Sequence, residues 1–116
     1  MQGLTGERTL MRIHIGERDR DKASGKPLYE AIVMLMRTKH LAGATVTRAI
    51  MGYGASARVR TDRQELLSLD LPIVVECIDT EANIQAIVPV LDSMIGGGLI
   101  TLENVRVIAY RAETAT

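Results

Sequence analysis

The sequence predicts an α+β domain in which a four-stranded antiparallel sheet carries two helices on one face. Three observations lead to this fold class. The 116 residues suffice for one domain with a hydrophobic core, since a chain of about this size buries roughly two thirds of its unfolded surface. Strand-like segments alternate apolar and polar residues or are rich in β-branched ones, and two other segments have helical spacing. The elements follow one another as strand, helix, strand, strand, helix, strand.

The first strand is predicted over residues 9–16. Its apolar residues alternate with polar neighbours: Met11, Ile13 and Ile15. A charged loop follows, and Pro27 then fits the first turn of a helix. Apolar residues recur there at the spacing of one buried stripe: Leu28, Ala31, Ile32, Leu35 and Met36. Gly43 offers an end, so we expect this helix to stop near His40.

The second and third strands are predicted in "GATVTRAIMGYG", residues 43–54, and "LDLPIVVECID", residues 69–79, because both runs are rich in β-branched residues. Asp79 and Thr80 can cap a second helix. One face of that helix is apolar: Ile84, Ile87, Val88, Leu91 and Ile95. The glycines at 96–98 end it, and "ENVRVIAYR", residues 103–111, gives the fourth strand.

Right-handed crossovers turn this element order into the ferredoxin-like βαββαβ arrangement. Residues 1–8 are expected to be a flexible tail, 9–111 the single domain and 112–116 a second tail. The sheet face without helices is predicted to carry mainly polar residues: Arg12, His14, Thr45, Thr47, Arg106 and Tyr110. Ile108 lies among them, and a mixed face of this kind favours an oligomer over a monomer.

Composition excludes several classes of function. Lys plus Arg equal Asp plus Glu at 14 each, and there are three Tyr but no Phe or Trp, so neither charge nor stacking surfaces favour nucleic acid. Cys77 is the only cysteine and lies in an apolar run, which is typical of a buried thiol. The N-terminus has no apolar signal region, and no apolar run is long enough for a membrane span, so a soluble cytoplasmic protein is expected.

No catalytic constellation, metal site or cofactor is predicted. His14 and His40 lie in different elements, and Cys77 has no cysteine or histidine at ligand spacing. The acidic residues of the loop after the first strand, within 17–21, are typical of a hydrated loop, although a site of paired carboxylates stays open.

The long segment 55–70 between the two central strand-like runs is the strongest functional signal, since unstructured connections of this length are uncommon in small domains unless they have a function. Gly52 and Gly54 precede it, and glycine lets backbone amides approach an anion closely. Arginines that can grip a phosphate or carboxylate follow: Arg58, Arg60 and Arg63. A simple bend in a solvated loop is the alternative interpretation.

The runs "LAGATVTRAIMGYG" and "DLPIVVECIDTEANIQAIVPVLDSMIGGGLITLENVRVI" resemble the PII signalling proteins. With "IGERDR" and "GKPLYEAIV" the resemblance is closer still to a bacterial family of PII-like proteins, domain of unknown function 190, and it spans residues 10–110. It implies a ferredoxin-like homotrimer, a ligand held between subunits at the base of a T-loop, and a loop that reports occupancy to a target protein.

Applied to this chain, the resemblance implies that Gly52 and Gly54 line the ligand cleft. Three positions depart from the PII nucleotide site: Ser56 replaces a glutamine, Ile73 a lysine, and Asn104 lies near another expected lysine. The expected ligand is therefore a small anionic molecule, with a nucleotide as one form.

The predicted ligand-binding residues come from the glycine pair, the long segment and the two motifs that distinguish the family from PII: Gly52, Gly54, Ser56, Arg58, Arg60, Glu17, Arg20, Lys26 and Tyr29. The expected role is a non-enzymatic trimeric sensor whose target is a membrane transporter or channel. Two alternatives stay open, namely a metal-binding trimer that uses His14 and an enzyme that uses acidic residues at 17–21.

Overall fold

The computed structural model describes residues 3–54, 58–61 and 70–112, and within them a four-stranded antiparallel sheet and two helices form the domain. The elements in chain order are β1 (Gly6–Gly16), α1 (Leu28–Thr38), β2 (Thr45–Arg48), β3 (Met51–Gly52), β4 (Arg60–Thr61), β5 (Pro72–Asp79), α2 (Glu81–Met94) and β6 (Leu99–Val107). The sheet order is β2-β5-β1-β6, which is the order of a ferredoxin-like fold. The predicted fold class is confirmed.

The core lies between one face of the sheet and both helices. Met11, Ile13 and Ile15 of β1 lie opposite Cys77, Val75 and Ile73 of β5, so their side chains share a face. Residues from both helices complete the same buried cluster: Leu28, Ile32, Met36, Ile84, Ile87 and Leu91. The apolar stripe predicted for each helix is therefore the stripe that is buried.

Two strands have different bounds from those predicted. β1 begins at Gly6 rather than at residue 9, because Gly6 to Arg8 pair with Val107 to Val105 of β6. β6 is Leu99–Val107 rather than 103–111, since its pairing with β1 starts immediately after the glycines, with Leu99 opposite His14. Ile108 follows the strand and is 85% exposed.

The open sheet face is only partly as predicted. Thr45 and Thr47 lie opposite Glu76 and Val74, in the rows that contain Arg12 and His14. The prediction for Arg106 is wrong, because it lies opposite Glu7, in the alternation of the core-facing residues. Val105 and Val107 take the open side instead.

The predicted second strand is two separate strands. β2 pairs with β5, and the Ala49 N–H donates to the carbonyl of Pro72 at 2.8 Å. Proline has no N–H, so the ladder cannot continue past Pro72 in the same way. The chain then leaves the sheet, and β3 pairs with β4 in a ribbon of two short strands, with Met51 opposite Thr61 and Gly52 opposite Arg60. This β3–β4 ribbon forms the described base of the long segment.

The helices begin where the sequence predicts. α1 starts directly after Pro27 and ends at Thr38, and His40 beyond it has a φ of 60°. α2 follows Thr80, whose side chain accepts a hydrogen bond from the Asn83 N–H at 3.2 Å, as expected for an N-cap. In the described part of the chain, neither helix has the length and apolar character needed to cross a bilayer.

Candidate functional site

Three segments with functional signals meet at one end of the sheet. β1 ends at Gly16, which lies opposite Pro72 at the start of β5, and Leu99 at the start of β6 lies opposite His14. The loop after β1, the β3–β4 ribbon and the glycines at 96–98 therefore emerge side by side. We call this the loop end of the sheet.

Asp70, the residue before Leu71, links two of these segments. One carboxylate oxygen accepts a hydrogen bond from the Arg18 N–H at 3.0 Å. The other forms an ion pair with the guanidinium of Arg60, which also donates to the Asp70 carbonyl at 3.4 Å. The two side chains are only 28% (Arg60) and 23% (Asp70) exposed. Asp70 thus connects the loop after β1 with the return strand of the ribbon.

Glu17 makes a second bridge at the loop end. Its carboxylate forms an ion pair with Arg48 at 2.9 Å and accepts from the Leu71 N–H at 3.4 Å. The Glu17 N–H donates to the Leu71 carbonyl at 2.9 Å. Two arginines and two carboxylates therefore lie around the first residues of β5.

Gly52 allows the ribbon to approach β5. A Cβ atom at Gly52 would lie 3.0 Å from Cγ of Pro72, which is at the limit of what a side chain tolerates. Met51, the neighbouring strand residue, points to the other side of the ribbon and is 61% exposed, and Tyr53 is 73% exposed. The ribbon packs on β5 through its glycine side and presents apolar side chains outward.

The loop after β1 uses its acidic residues internally. The Asp19 carboxylate accepts from the Gly16 N–H at 2.9 Å, and the Asp21 carboxylate accepts from the Ser24 hydroxyl at 2.6 Å. Arg20 forms an isolated bridge with Pro27, which closes the loop into a short hairpin. Arg20 and Lys26 are exposed on it. The loop therefore presents its cations to solvent while its carboxylates bind backbone and hydroxyl groups.

The glycines at 96–98 border an open cleft of about 690 Å³ between the end of α2 and the start of β6. Its lining is Val88, Asp92, Ile95, Gly96, Gly97, Gly98, Ile100 and Leu102. Gly98 is required by its surroundings, because a Cβ there would lie 2.5 Å from the carbonyl oxygen of His14 and the φ of Gly98 is +157°. The sequence predicts these glycines only as a helix terminator.

A family model decides what the chain is related to. The model of domain of unknown function 190 (DUF190), described as "Uncharacterized ACR", matches residues 8–107. The chain belongs to DUF190. The predicted membership of DUF190 is confirmed.

Two relatives are similar to this DUF190 chain over nearly its whole length. It is 34% identical over 106 residues to the UPF0166 protein MJ1524 of Methanocaldococcus jannaschii, with 90% of this chain and 94% of the relative covered. It is 39% identical over 104 residues to a UPF0166 protein of Aquifex aeolicus, with 88% and 94% covered.

A solved structure is similar to the DUF190 chain at 15% identity with a TM-score of 0.49, and the match covers 87% of this chain and 90% of the other. It is described as "Structure of CPII bound to ADP and bicarbonate, from Thiomonas intermedia K12".

The structure of the DUF190 chain brings some of the predicted ligand-binding residues together. Glu17, Gly52 and Arg60 all contact residues 70–72. Arg58 is exposed near the ribbon, and Gly54 is exposed at an open position, where an added Cβ would have no described atom within 4 Å. Ser56, like Arg63, lies outside the described residues.

The other predicted residues lie apart from this cluster. Arg20 and Lys26 lie on the hairpin of the loop after β1. Tyr29 is half-buried and packs against the core, which is an ordinary structural role. Arg48 and Asp70 are not among the predicted residues. The only sequence signal for these two residues is that they carry opposite charges near strand ends. Antiparallel pairing brings those ends together, but this can be recognised only once the register of the strands is known.

Neither alternative gains support from the described geometry. Residues 3–54, 58–61 and 70–112 contain no group of three or more His, Cys, Asp or Glu placed to hold a metal. His14 is exposed on the open face, where its cross-strand neighbours are Val74 and Leu99. The acidic residues at 17, 19 and 21 are engaged as described above.

Proposed function

We propose that this DUF190 chain is a non-enzymatic, trimeric, PII-like signalling protein. It binds a small anionic ligand, with a nucleotide as one form, in clefts between subunits. The long segment 55–70 then reports occupancy to a partner protein, for which we propose a membrane transporter or channel. The observation that carries this proposal is the position of two arginines at the base of that segment, with Arg60 opposite Gly52 on the ribbon and Arg48 beside the start of β5.

The arginines supply the chemistry for an anion. A guanidinium offers paired donors to a carboxylate or phosphate, and charge-assisted hydrogen bonds of this kind contribute about 1.5–3 kcal/mol each. Arg60 lies on the ribbon opposite Gly52, and the exposed Gly54 follows, with open space where a ligand can approach main-chain amides. The cleft beside the glycines at 96–98 adds open space at the same end of the sheet.

The surface supports assembly of several copies. β6 is nine residues long and, among the described residues, pairs with β1 alone, so its outer edge is available for contact. Exposed apolar side chains lie along or next to it: Leu99, Leu102 and Ile108. A contact along β6 would place a second copy beside the cleft at 96–98, as a site between subunits requires.

The ribbon gives the ligand a route to the long segment. Arg60 belongs to the strand by which the chain returns toward β5, so an anion that binds Arg60 changes the contacts that anchor this strand. A ligand shifts the population of segment conformations only if it binds one of them more tightly. Contact with an anchoring arginine provides that difference.

The test is isothermal titration of the purified chain with ATP, ADP, AMP, bicarbonate, succinate and citrate, together with sedimentation to measure the oligomeric state. We expect a trimer that binds at least one of these anions, and we expect Arg60→Gln to lower its affinity about tenfold or more. Arg37→Gln is the matched control, because Arg37 is exposed in the last turn of α1, away from the loop end. A folded protein that binds none of the panel, or a monomer, contradicts the proposal.

A further inference from the structure

The carboxylate of Asp70 is held in the way that proteins hold a bound oxyanion. A backbone N–H, that of Arg18, donates to one oxygen at 3.0 Å, and the guanidinium of Arg60 pairs with the other. These donors come from two different segments, the loop after β1 and strand β4. Because its side chain is only 23% exposed, Asp70 is directed toward these two donors rather than extending into water.

Every described carboxylate partner of the two arginines comes from the chain itself. Asp70 pairs with Arg60 and Glu17 pairs with Arg48. An incoming anion would therefore meet arginines that are already neutralised, next to two negative charges. A ligand with one or more oxyanion groups must either avoid these arginines or displace a carboxylate from them.

We propose that Asp70 occupies an anion subsite of the proposed ligand site, and that the ligand's own carboxylate or phosphate replaces it on the Arg60 guanidinium and the Arg18 N–H. The inference rests on the proposed function, and it adds which group of the ligand the site recognises, namely a carboxylate or a phosphate. Asp70 is thus an internal competitor that sets how tightly an anion binds.

Asp70 is better placed for this role than Glu17. Glu17 is tied to Leu71 by two hydrogen bonds, one from its side chain and one from its backbone N–H, so its position is part of the strand connection. The described contacts of the Asp70 side chain are only the two anion-binding donors. Exchange of Asp70 for a ligand anion leaves those donors satisfied and costs no buried hydrogen bond. The exchange also removes the ion pair between Arg60 and the Asp70 side chain, at the point where the long segment rejoins the domain.

The test compares the full-length wild-type chain with Asp70→Asn and Asp70→Ser, which remove the competing charge. Glu81→Gln is the matched control, since it removes one negative charge at the N-terminus of α2, at the opposite end of the sheet. ADP, inorganic phosphate and citrate are titrated into each variant, so that the phosphate and carboxylate sources of the anion are separated. We expect the two Asp70 variants to bind at least one of these anions about tenfold more tightly than the wild type, and the control to match the wild type.

The possible results separate this inference from the proposed function. If the wild type binds an anion and both Asp70 variants bind it equally or more weakly, the subsite is wrong while the proposed function stands. If the wild type binds an anion and both Asp70 variants bind it about tenfold more tightly, the internal competitor is supported. If no variant binds any anion of either panel, both proposals fail. Thermal unfolding verifies that each variant is folded, and Asp70→Ser replaces Asp70→Asn if the latter is not.

Amide hydrogen exchange gives a readout without ligand. The Arg18 N–H donates to Asp70, so Asp70→Ser, whose shorter side chain withdraws the acceptor, should accelerate exchange at Arg18 relative to the wild type, to Glu81→Gln and to Asp70→Asn, which keeps an acceptor oxygen. Unchanged protection at Arg18 would mean that Asp70 does not hold this donor in solution, which overturns the inference.

Discussion

The carboxylate of Asp79 accepts a hydrogen bond from the backbone N–H of Ala42 at 2.8 Å, so the last residue of β5 holds the connection between α1 and β2. Asp79 is completely buried. Its other oxygen accepts from the Thr80 N–H at 2.7 Å and from the Asn83 side-chain amide at 2.8 Å, which ties the same carboxylate to the start of α2. One buried side chain thus joins three parts of the fold.

Asp79→Ala is expected to lower the free energy of unfolding by about 3–5 kcal/mol, because it leaves three donors without their acceptor in a buried place. Urea unfolding followed by circular dichroism measures the change. Asp92→Ala removes an exposed carboxylate from the last turn of α2 and should change stability by less than about 0.5 kcal/mol. Equal losses in the two variants would contradict the structural role given to Asp79.

Cys77 should make stability fall at high pH. Burial, with a contribution from the negative charge of Asp79, raises the pKa of the Cys77 thiol from 9.0 to about 12. Below pH 9 the folded and unfolded chains both keep this proton. Between pH 9 and about 12 only the folded chain keeps it, so the unfolding free energy falls as pH rises, by at most about 1.4 kcal/mol per pH unit.

The measurement is urea unfolding at pH 8, 9 and 10 for wild type and Cys77→Ala. The substituted protein is less stable at pH 8, since a buried side chain is truncated, but its loss between pH 9 and 10 should be smaller than that of the wild type. Parallel pH profiles would contradict the assigned pKa. In the native wild type at pH 8, a thiol reagent should react with Cys77 only at the rate of unfolding.

Gly98→Ala should destabilise the fold by about 1–3 kcal/mol, because the new Cβ would lie 2.5 Å from the His14 carbonyl oxygen at the point where β6 joins β1. Gly97→Ala is the control one residue away, since a Cβ there has no described atom within 4 Å. Melting temperatures of the two variants test the pair. Similar values would show that the close approach at Gly98 does not exist in solution.

Gly52→Val should loosen the ribbon without a large effect on the core. The added branches extend past the 3.0 Å contact with Pro72 and push β3 away from β5. We expect faster amide exchange at Arg60 and Thr61 and weaker binding of any anion that the wild type binds. Gly54→Val, at an open position, should leave both properties near the wild-type values. Loss of protection in the core strands would instead indicate general unfolding.

The fold follows from the sequence more completely than the site does. Apolar spacing in α1 and α2 and alternation in β1 are local patterns, and they are the faces that the structure buries. The predicted start of β6 is too late because "LITL", residues 99–102, follows three glycines and shows no alternation of apolar and polar residues. The position at which pairing begins depends instead on the close approach of Gly98 to β1.

The site depends on long-range pairing that single-sequence patterns do not contain. Gly52 and Arg60 carry local signals, a strand-end glycine and an arginine cluster. Arg48 and Asp70 can be recognised as site residues only from the folded structure. There Arg48 lies opposite the start of β5, and Glu17 and Asp70 lie at the same end of that strand. The division of the second predicted strand has the same origin, since it is Pro72 of a distant strand that interrupts the ladder.

The two ends of β5 differ in what a substitution there would cost. At Asp79 one buried carboxylate accepts hydrogen bonds from three donors, so any replacement lowers the stability of the whole fold. At Asp70 and Glu17 the attachments are partly exposed ion pairs, which contribute little to folding. Substitutions at the Asp70 end of β5 can therefore accumulate at little cost to folding, whereas the Asp79 end of the strand leaves almost no freedom.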